Sequence, residues 1–220
     1  MLFSLVSNAL NMGLIVYNIR ILTLSISTAT ESGSITSSTS MRELLLHSSS
    51  ADLFTSYFKD ITGPAVSQIF PEFKDGGSHE AKRATRYLLR FACEFNDPIC
   101  LEGANDNFNK VRSGQMTWDD LNVNFRDFSR NYGVRGGGLD EITWLKSLLS
   151  TVSSSEQRNY IKALSYMKSE FADEAISLFN DCSKDGSYDD FKYALMQFSE
   201  RQFMRDVVWS YTKGEVHLLN

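Results

Sequence analysis

From Asp52 to about Lys213, apolar residues recur three and four positions apart, and runs of strict alternation are few. That spacing gives a helix one dry face and one wet face, so this region reads as helical almost throughout. "DLFTSYFKDIT" sets Leu53, Phe54, Tyr57, Phe58 and Ile61 on one such face. Gly63-Pro64 then predicts a restart, because proline lacks the backbone N–H and its ring crowds the preceding turn. Val66, Ile69, Phe70 and Phe73 form a second stripe, closed by the polar "KDGGS". Ser78 is the expected N-cap of a helix over 81–95 that buries Tyr87, Leu88, Phe91, Ala92 and Phe95. Asp97 caps the next helix and Pro98 takes its first turn, where a missing N–H costs nothing. That helix is expected to end near Arg112, before Gly114.

Further along, a helix over 125–132 is expected to halt at "GVRGGG", and another over 139–152 turns Ile142, Leu145, Leu148 and Leu149 inward. Ser153 to Ser155 with Glu156 opens a helix over 157–167, and 173–182 supplies Ala175, Ile176, Leu178 and Phe179. Ser187-x-x-Asp190 resembles a capping box before 191–198, and 201–213 is a last amphipathic segment. Each stripe needs a neighbour to cover it. Stacked helical hairpins meet that need, so the predicted fold is all-α, a HEAT- or armadillo-like α-solenoid forming a single domain over 52–220.

The first fifty residues differ. Met1 to Ile19 carries no charge and is largely apolar, Arg20 interrupts it, and Ile21 to Ile26 resumes it. Residues 1–29 therefore read as a signal sequence, a membrane anchor or a leader without structure. Ser27 and Ala29 suit a signal peptidase, although no basic region precedes the apolar run. A span needs about 20 apolar residues, and Asn8, Asn11, Asn18 and Arg20 weaken this one. Residues 30–51, "TESGSITSSTSMRELLLHSSS" and Ala51, form a Ser/Thr-rich linker too polar to pack outside Leu44 to Leu46. Export or anchoring would place the domain outside the cell or at a membrane.

The chain has 220 residues, enough to bury a substantial core without metals or several disulfides. Its 27 Asp+Glu outnumber 22 Lys+Arg, and the basic residues are scattered. No stripe exists to neutralise a phosphate backbone, so nucleic acid is not an expected partner.

Cys93 and Cys100 flank Asp97-Pro98. An unbroken helix would hold them about 10.5 Å apart along its axis, beyond the roughly 4.4–6.8 Å between Cα atoms that a disulfide tolerates. Pro98 forces a reversal, which makes a bridge across the hairpin feasible and leaves two buried thiols as the alternative. Cys182 reads as a buried apolar residue beside Phe179.

Catalytic signals are thin. A zinc site needs three or four converging ligands, and the histidines are His47 in the linker, His79 at a helix start and His217 near the terminus. After His79-Glu80, a second zinc-binding histidine would fall at position 83, which is Arg83. There is no Gly-x-Ser-x-Gly, and "YGVRGGGLDE" fits no phosphate-binding loop, so it reads as a helix-to-helix turn. Asp119-Asp120, Asp140-Glu141 and Asp189-Asp190 sit at helix starts, where the helix dipole favours negative charge. No residue is assigned to catalysis, to a cofactor or to a metal.

The order of these features resembles the C-terminal helical domain of aminopeptidase N-type zinc aminopeptidases. "FACEFNDPICLEGANDNF" is similar to that family's pattern at Ala92, Cys93, Cys100, Ala104 and Phe108. "NFRDFSRNYGVRGGGLDEITWLKSLLSTVSSSEQRNYIKAL" is similar at Asn124, Phe125, Arg126, Gly137, Gly138, Glu141, Trp144, Glu156, Ala163 and Leu164. The resemblance covers about three quarters of the chain, from Leu53 to Lys213. It implies a Cys93–Cys100 disulfide. A second family bridge would join the regions 131–133 and 165–167, and neither holds a cysteine here. The His-Glu-x-x-His motif of the catalytic half does not occur in these 220 residues, and "EGAN" at 102–105 is not Gly-Ala-Met-Glu-Asn. The resemblance therefore implies a domain without chemistry of its own, partnered with a catalytic domain that carries the zinc, closing over it and bounding the substrate cavity. The alternative is a stand-alone secreted or membrane-tethered module that binds a peptide or protein on its concave face.

Overall fold

In the computed structural model, which describes residues 51–69, 79–184 and 188–218, every regular element is helical. In chain order these are α1 (Ala51–Ile69), α2 (His79–Glu94), α3 (Pro98–Arg112), α4 (Val123–Gly136) and α5 (Leu139–Leu148). They continue with α6 (Ser154–Leu164), α7 (Ala172–Lys184), α8 (Tyr188–Ser199) and α9 (Gln202–Leu218). Single 3-10 turns lie at Trp118–Asp120 and Ser169–Phe171. The periodicity of three and four thus became helix wherever the chain is described. Residues 58–220 form one compact unit.

The helix expected over 157–167 lies three residues earlier, at Ser154–Leu164, α8 begins at Tyr188 instead of 191 and α9 runs on to Leu218 instead of 213; three further differences have a visible physical cause. α1 passes straight through Gly63-Pro64 instead of restarting there. Proline removes one intrahelical bond, and the Ser67 hydroxyl donates to the Gly63 carbonyl at 2.9 Å nearby, while Val66 one turn on is fully buried. Leu53 and Tyr57, expected on a dry face, are exposed. The second difference is α5, which stops at Leu148 because Leu149 and Thr151 donate to carbonyls only three residues back, tightening the chain into turns.

The third concerns "GVRGGG". α4 does not halt at Tyr132 but runs on to Gly136. A Cβ on Gly133 would stand 2.6 Å from the Cβ of Phe108, and one on Gly136 would stand 2.7 Å from the Leu101 carbonyl oxygen. These glycines tolerate a helical conformation at a cost of about 1 kcal/mol each and let α3 and α4 approach closely. Helix–helix contact, and not a turn, selects them; the turn itself is confined to Gly137 and Gly138.

Packing follows from the stripes. α2, α4, α6 and α8 lie against one another in succession, with α3 on α4, α5 on α6, α7 on α8, and α9 on α7 and α8. One apolar cluster is built around Phe108, Ile142, Ile161, Leu164, Phe179 and Phe198, all fully buried. A second surrounds the cysteine hairpin with Leu89, Ala92, Cys93, Cys100, Ala104 and Tyr132. Each large side chain withdrawn in this way contributes about 1.5–3 kcal/mol. Among the described residues no helix is long and apolar enough to cross a membrane. Residues 1–29, on which the signal or anchor was expected, lie outside the described residues, as do 30–50.

Candidate functional site

The reversal at the cysteine hairpin is built from backbone rules. Asn96 takes a left-handed conformation, φ 56°, which asparagine accepts more readily than most residues. Its N–H donates to the Cys93 carbonyl at 3.0 Å, and the Asp97 N–H donates to the Ala92 carbonyl at 3.0 Å. That pair of bonds closes the end of α2 as a Schellman motif. Asp97 then accepts from the Cys100 N–H at 2.9 Å and caps α3, with Pro98 in its first turn. Two helix ends are satisfied within three residues. The Cα atoms of Cys93 and Cys100 come to 5.3 Å, and their sulfurs are joined in a disulfide with both side chains fully buried.

The loop so closed carries acceptors. Tyr132 of α4 donates its hydroxyl to the Glu94 carboxylate at 2.7 Å, and Arg135, one turn further, donates Nη1 to it at 3.3 Å. Arg135 Nε and Nη2 both donate to the Asn96 side-chain oxygen, at 3.0 and 2.7 Å. Arg201, between α8 and α9, makes an ion pair with Glu94 at 3.7 Å and lies 3.7 Å from the centre of the Tyr166 ring. Tyr132 packs edge-on against Tyr166, centroids 5.1 Å apart. Burial, reinforced by the negative charge of Glu94, drives the Tyr132 phenol well above its usual pKa, so it stays a hydrogen-bond donor. The Tyr166 phenol is raised too, mainly by burial. One carboxylate thus serves two guanidinium groups and a phenol from α4 and from the α8–α9 junction. With its charge so shared and largely shielded from water, it is arranged to hold helices together.

A second polar group braces the glycine turn. Glu141 accepts from the Gly138 N–H at 2.7 Å and pairs with Arg112 of α3 at 3.3 Å. Arg130, 3% exposed, lies between the rings of Trp118 and Tyr160, 4.8 and 5.1 Å from their centres. Such guanidinium–ring contacts gain when desolvated and partly offset the burial that disfavours the charge.

The residues singled out in the sequence fall as follows. Ala92, Ala104, Phe108, Phe125, Glu141, Ala163 and Leu164 are buried, Trp144 is half-buried with its ring 5.3 Å from that of Phe108, and Arg126 pairs with Asp119 at 2.9 Å. Glu156 accepts from the Tyr160 hydroxyl at 2.9 Å. Asp140-Glu141 and Asp189-Asp190 occupy first helical turns, and Asp120 accepts from the Thr117 N–H. Cys182 is buried on α7. His47 and Ser187, and the side chains of His79, His217 and Asn124, lie outside the described residues. Among the described residues no group of three or more His, Cys, Asp and Glu side chains could hold a metal ion.

Sequence reasoning missed Glu94, Arg135 and Arg201. A weak signal existed, since Tyr132 and Arg135 are one helical turn apart and face the same way, but nothing in the chain names Glu94 as their acceptor.

Comparison with known families matches residues 32–219 to the ERAP1-like C-terminal domain. Comparison with curated proteins gives no match.

Proposed function

The chain belongs to the family of ERAP1-like C-terminal domains, and from that premise we propose that it works by packing, closing over the zinc domain of an aminopeptidase and bounding the cavity in which the substrate lies. The observation that carries this reading is the match over 32–219, which takes in every described helix. The character of the site supports it. The charges of Arg135, which is buried, and of the half-buried Glu94 and Arg201 are spent on one another and on aromatic rings, an arrangement suited to a stiff wall. The succession of α2, α4, α6 and α8, each backed by a neighbouring helix, supports a curved stack of hairpins with a face on which a peptide could be enclosed. The buried disulfide favours an oxidising compartment, outside the cell or within the secretory route. Zinc, on this reading, belongs to the catalytic domain.

Two measurements test it. The purified chain is expected to leave aminoacyl-anilide substrates intact and to co-elute with an aminopeptidase catalytic domain prepared without its own C-terminal portion. Zinc-dependent cleavage by the chain alone would overturn the proposal. So would a stable complex with an unrelated protein together with indifference to the catalytic domain, which is the outcome a stand-alone binding module requires.

A further inference from the structure

We infer that the disulfide-closed loop from Cys93 to Cys100 is a latch for the α8–α9 elbow, with Glu94 as the group that holds it. Glu200 and Arg201 interrupt the helices, and locally the elbow is tied by the Arg201 N–H to the Phe198 carbonyl and the Met204 N–H to the Arg201 carbonyl. Its charged connections reach much further back in the chain. Arg201 pairs with Glu94, and Arg135, 5.2 Å from the centre of the Phe203 ring at the start of α9, is held by Glu94 and Asn96. Both acceptors, Glu94 and Asn96, lie inside the eight-residue ring that the disulfide closes. The position of the elbow is thus set by a loop about a hundred residues away in sequence, whose own freedom the bridge limits.

The latch makes the elbow responsive to the state of the bridge. A dithiol reductant passes two electrons and two protons to the disulfide, giving two thiols and becoming a cyclic disulfide itself. The turn then keeps the Asp97 cap and the Asn96 backbone bonds but loses the covalent closure beneath Glu94, so the pairs to Arg135 and Arg201 loosen and the start of α9 opens more often.

Hydrogen exchange of the full chain, read peptide by peptide, decides it. Glu94→Gln keeps the shape and removes the charge; amides over 201–206 are expected to exchange about tenfold faster, while α5, α6 and α7 stay within about twofold. Reduction of the native chain with dithiothreitol is expected to give the same pattern, which covers the case in which the variant does not fold. The double variant Glu94→Gln with Arg201→Gln is expected to exchange at the elbow more slowly than the two single effects combined would give, because both remove the shared Glu94–Arg201 pair. An elbow that does not respond to Glu94→Gln or to reduction, or a rise spread evenly over all helices, would overturn the latch.

Discussion

Gly133 of α4 lies against Phe108 of α3 with no room for a side chain: a Cβ there would come within 2.6 Å of the Phe108 Cβ and 2.8 Å of its ring. Phe108 is itself fully buried and stacks edge-on with Trp118 and Trp144, so it has nowhere to retreat. Gly133→Ala should therefore destabilise by about 1–3 kcal/mol despite the helix-forming advantage of alanine. The reverse is expected at Gly214, helical in α9 with nothing within 4 Å of its added Cβ. There, Gly214→Ala should stabilise by about 0.5–1 kcal/mol. Urea midpoints of the two variants should move in opposite directions.

Replacing Cys93 and Cys100 together by alanine should cost about 2.5 kcal/mol, the chain entropy released by so short a ring. Both side chains sit at full burial in the second apolar cluster, so alanine also leaves a small void. A loss below about 1 kcal/mol in denaturant titration would show that the capped turn holds itself without the bridge.

Asn96 joins two roles that substitutions can separate. Glycine accepts its φ of 56° but gives Arg135 no side-chain acceptor, whereas alanine fails on both counts. Asn96→Ala should be less stable than Asn96→Gly by about 1 kcal/mol, the cost of left-handed backbone with a Cβ. Equal stabilities would mean that the backbone conformation is not maintained in the alanine variant.

Stability should fall at high pH. Burial and the hydrogen bond to Glu156 raise the Tyr160 pKa from 10.0 to about 12. Below pH 10 both folded and unfolded chains keep the proton. Between about 10 and 12 the unfolded chain gives it up first, so the contribution of Tyr160 declines through that window and is gone above it. Tyr132 and Tyr166 shift in the same direction. Helicity followed by circular dichroism should therefore decline above pH 10, and Tyr160→Phe should shallow that decline. A decline of the same steepness in the variant would contradict this.

How much of this was legible beforehand depended on the range of the interaction involved. Helix content, the start and end of α3, and the cap at Asp97 with Pro98 behind it rest on neighbours a few residues apart, and the sequence reading located them. Pro64 and Gly133 misled because both were read for their local preference alone, while Val66 and Phe108, contributed by packing, decided the outcome. The network around Glu94 was invisible for the same reason: Glu94, Arg135 and Arg201 are scattered over more than a hundred residues, and each alone looks like an ordinary solvated charge. The family resemblance carried by Ala92, Cys93, Cys100, Ala104 and Phe108 supplied what local physics could not, since it registers which distant segments have to fit together.

Three sulfhydryls admit three pairings, yet this chain is protected from misjoining before and after it folds. Cys93 and Cys100 are close neighbours in sequence, so in the unstructured polypeptide they meet far more often than either meets Cys182. Once α7 is docked, Cys182 is sealed within the other apolar cluster and cannot reach them. Oxidation should thus yield one isomer without a shuffling catalyst, the Cys93–Cys100 bridge, with the Cys182 sulfur kept out of the exchange by its burial on α7.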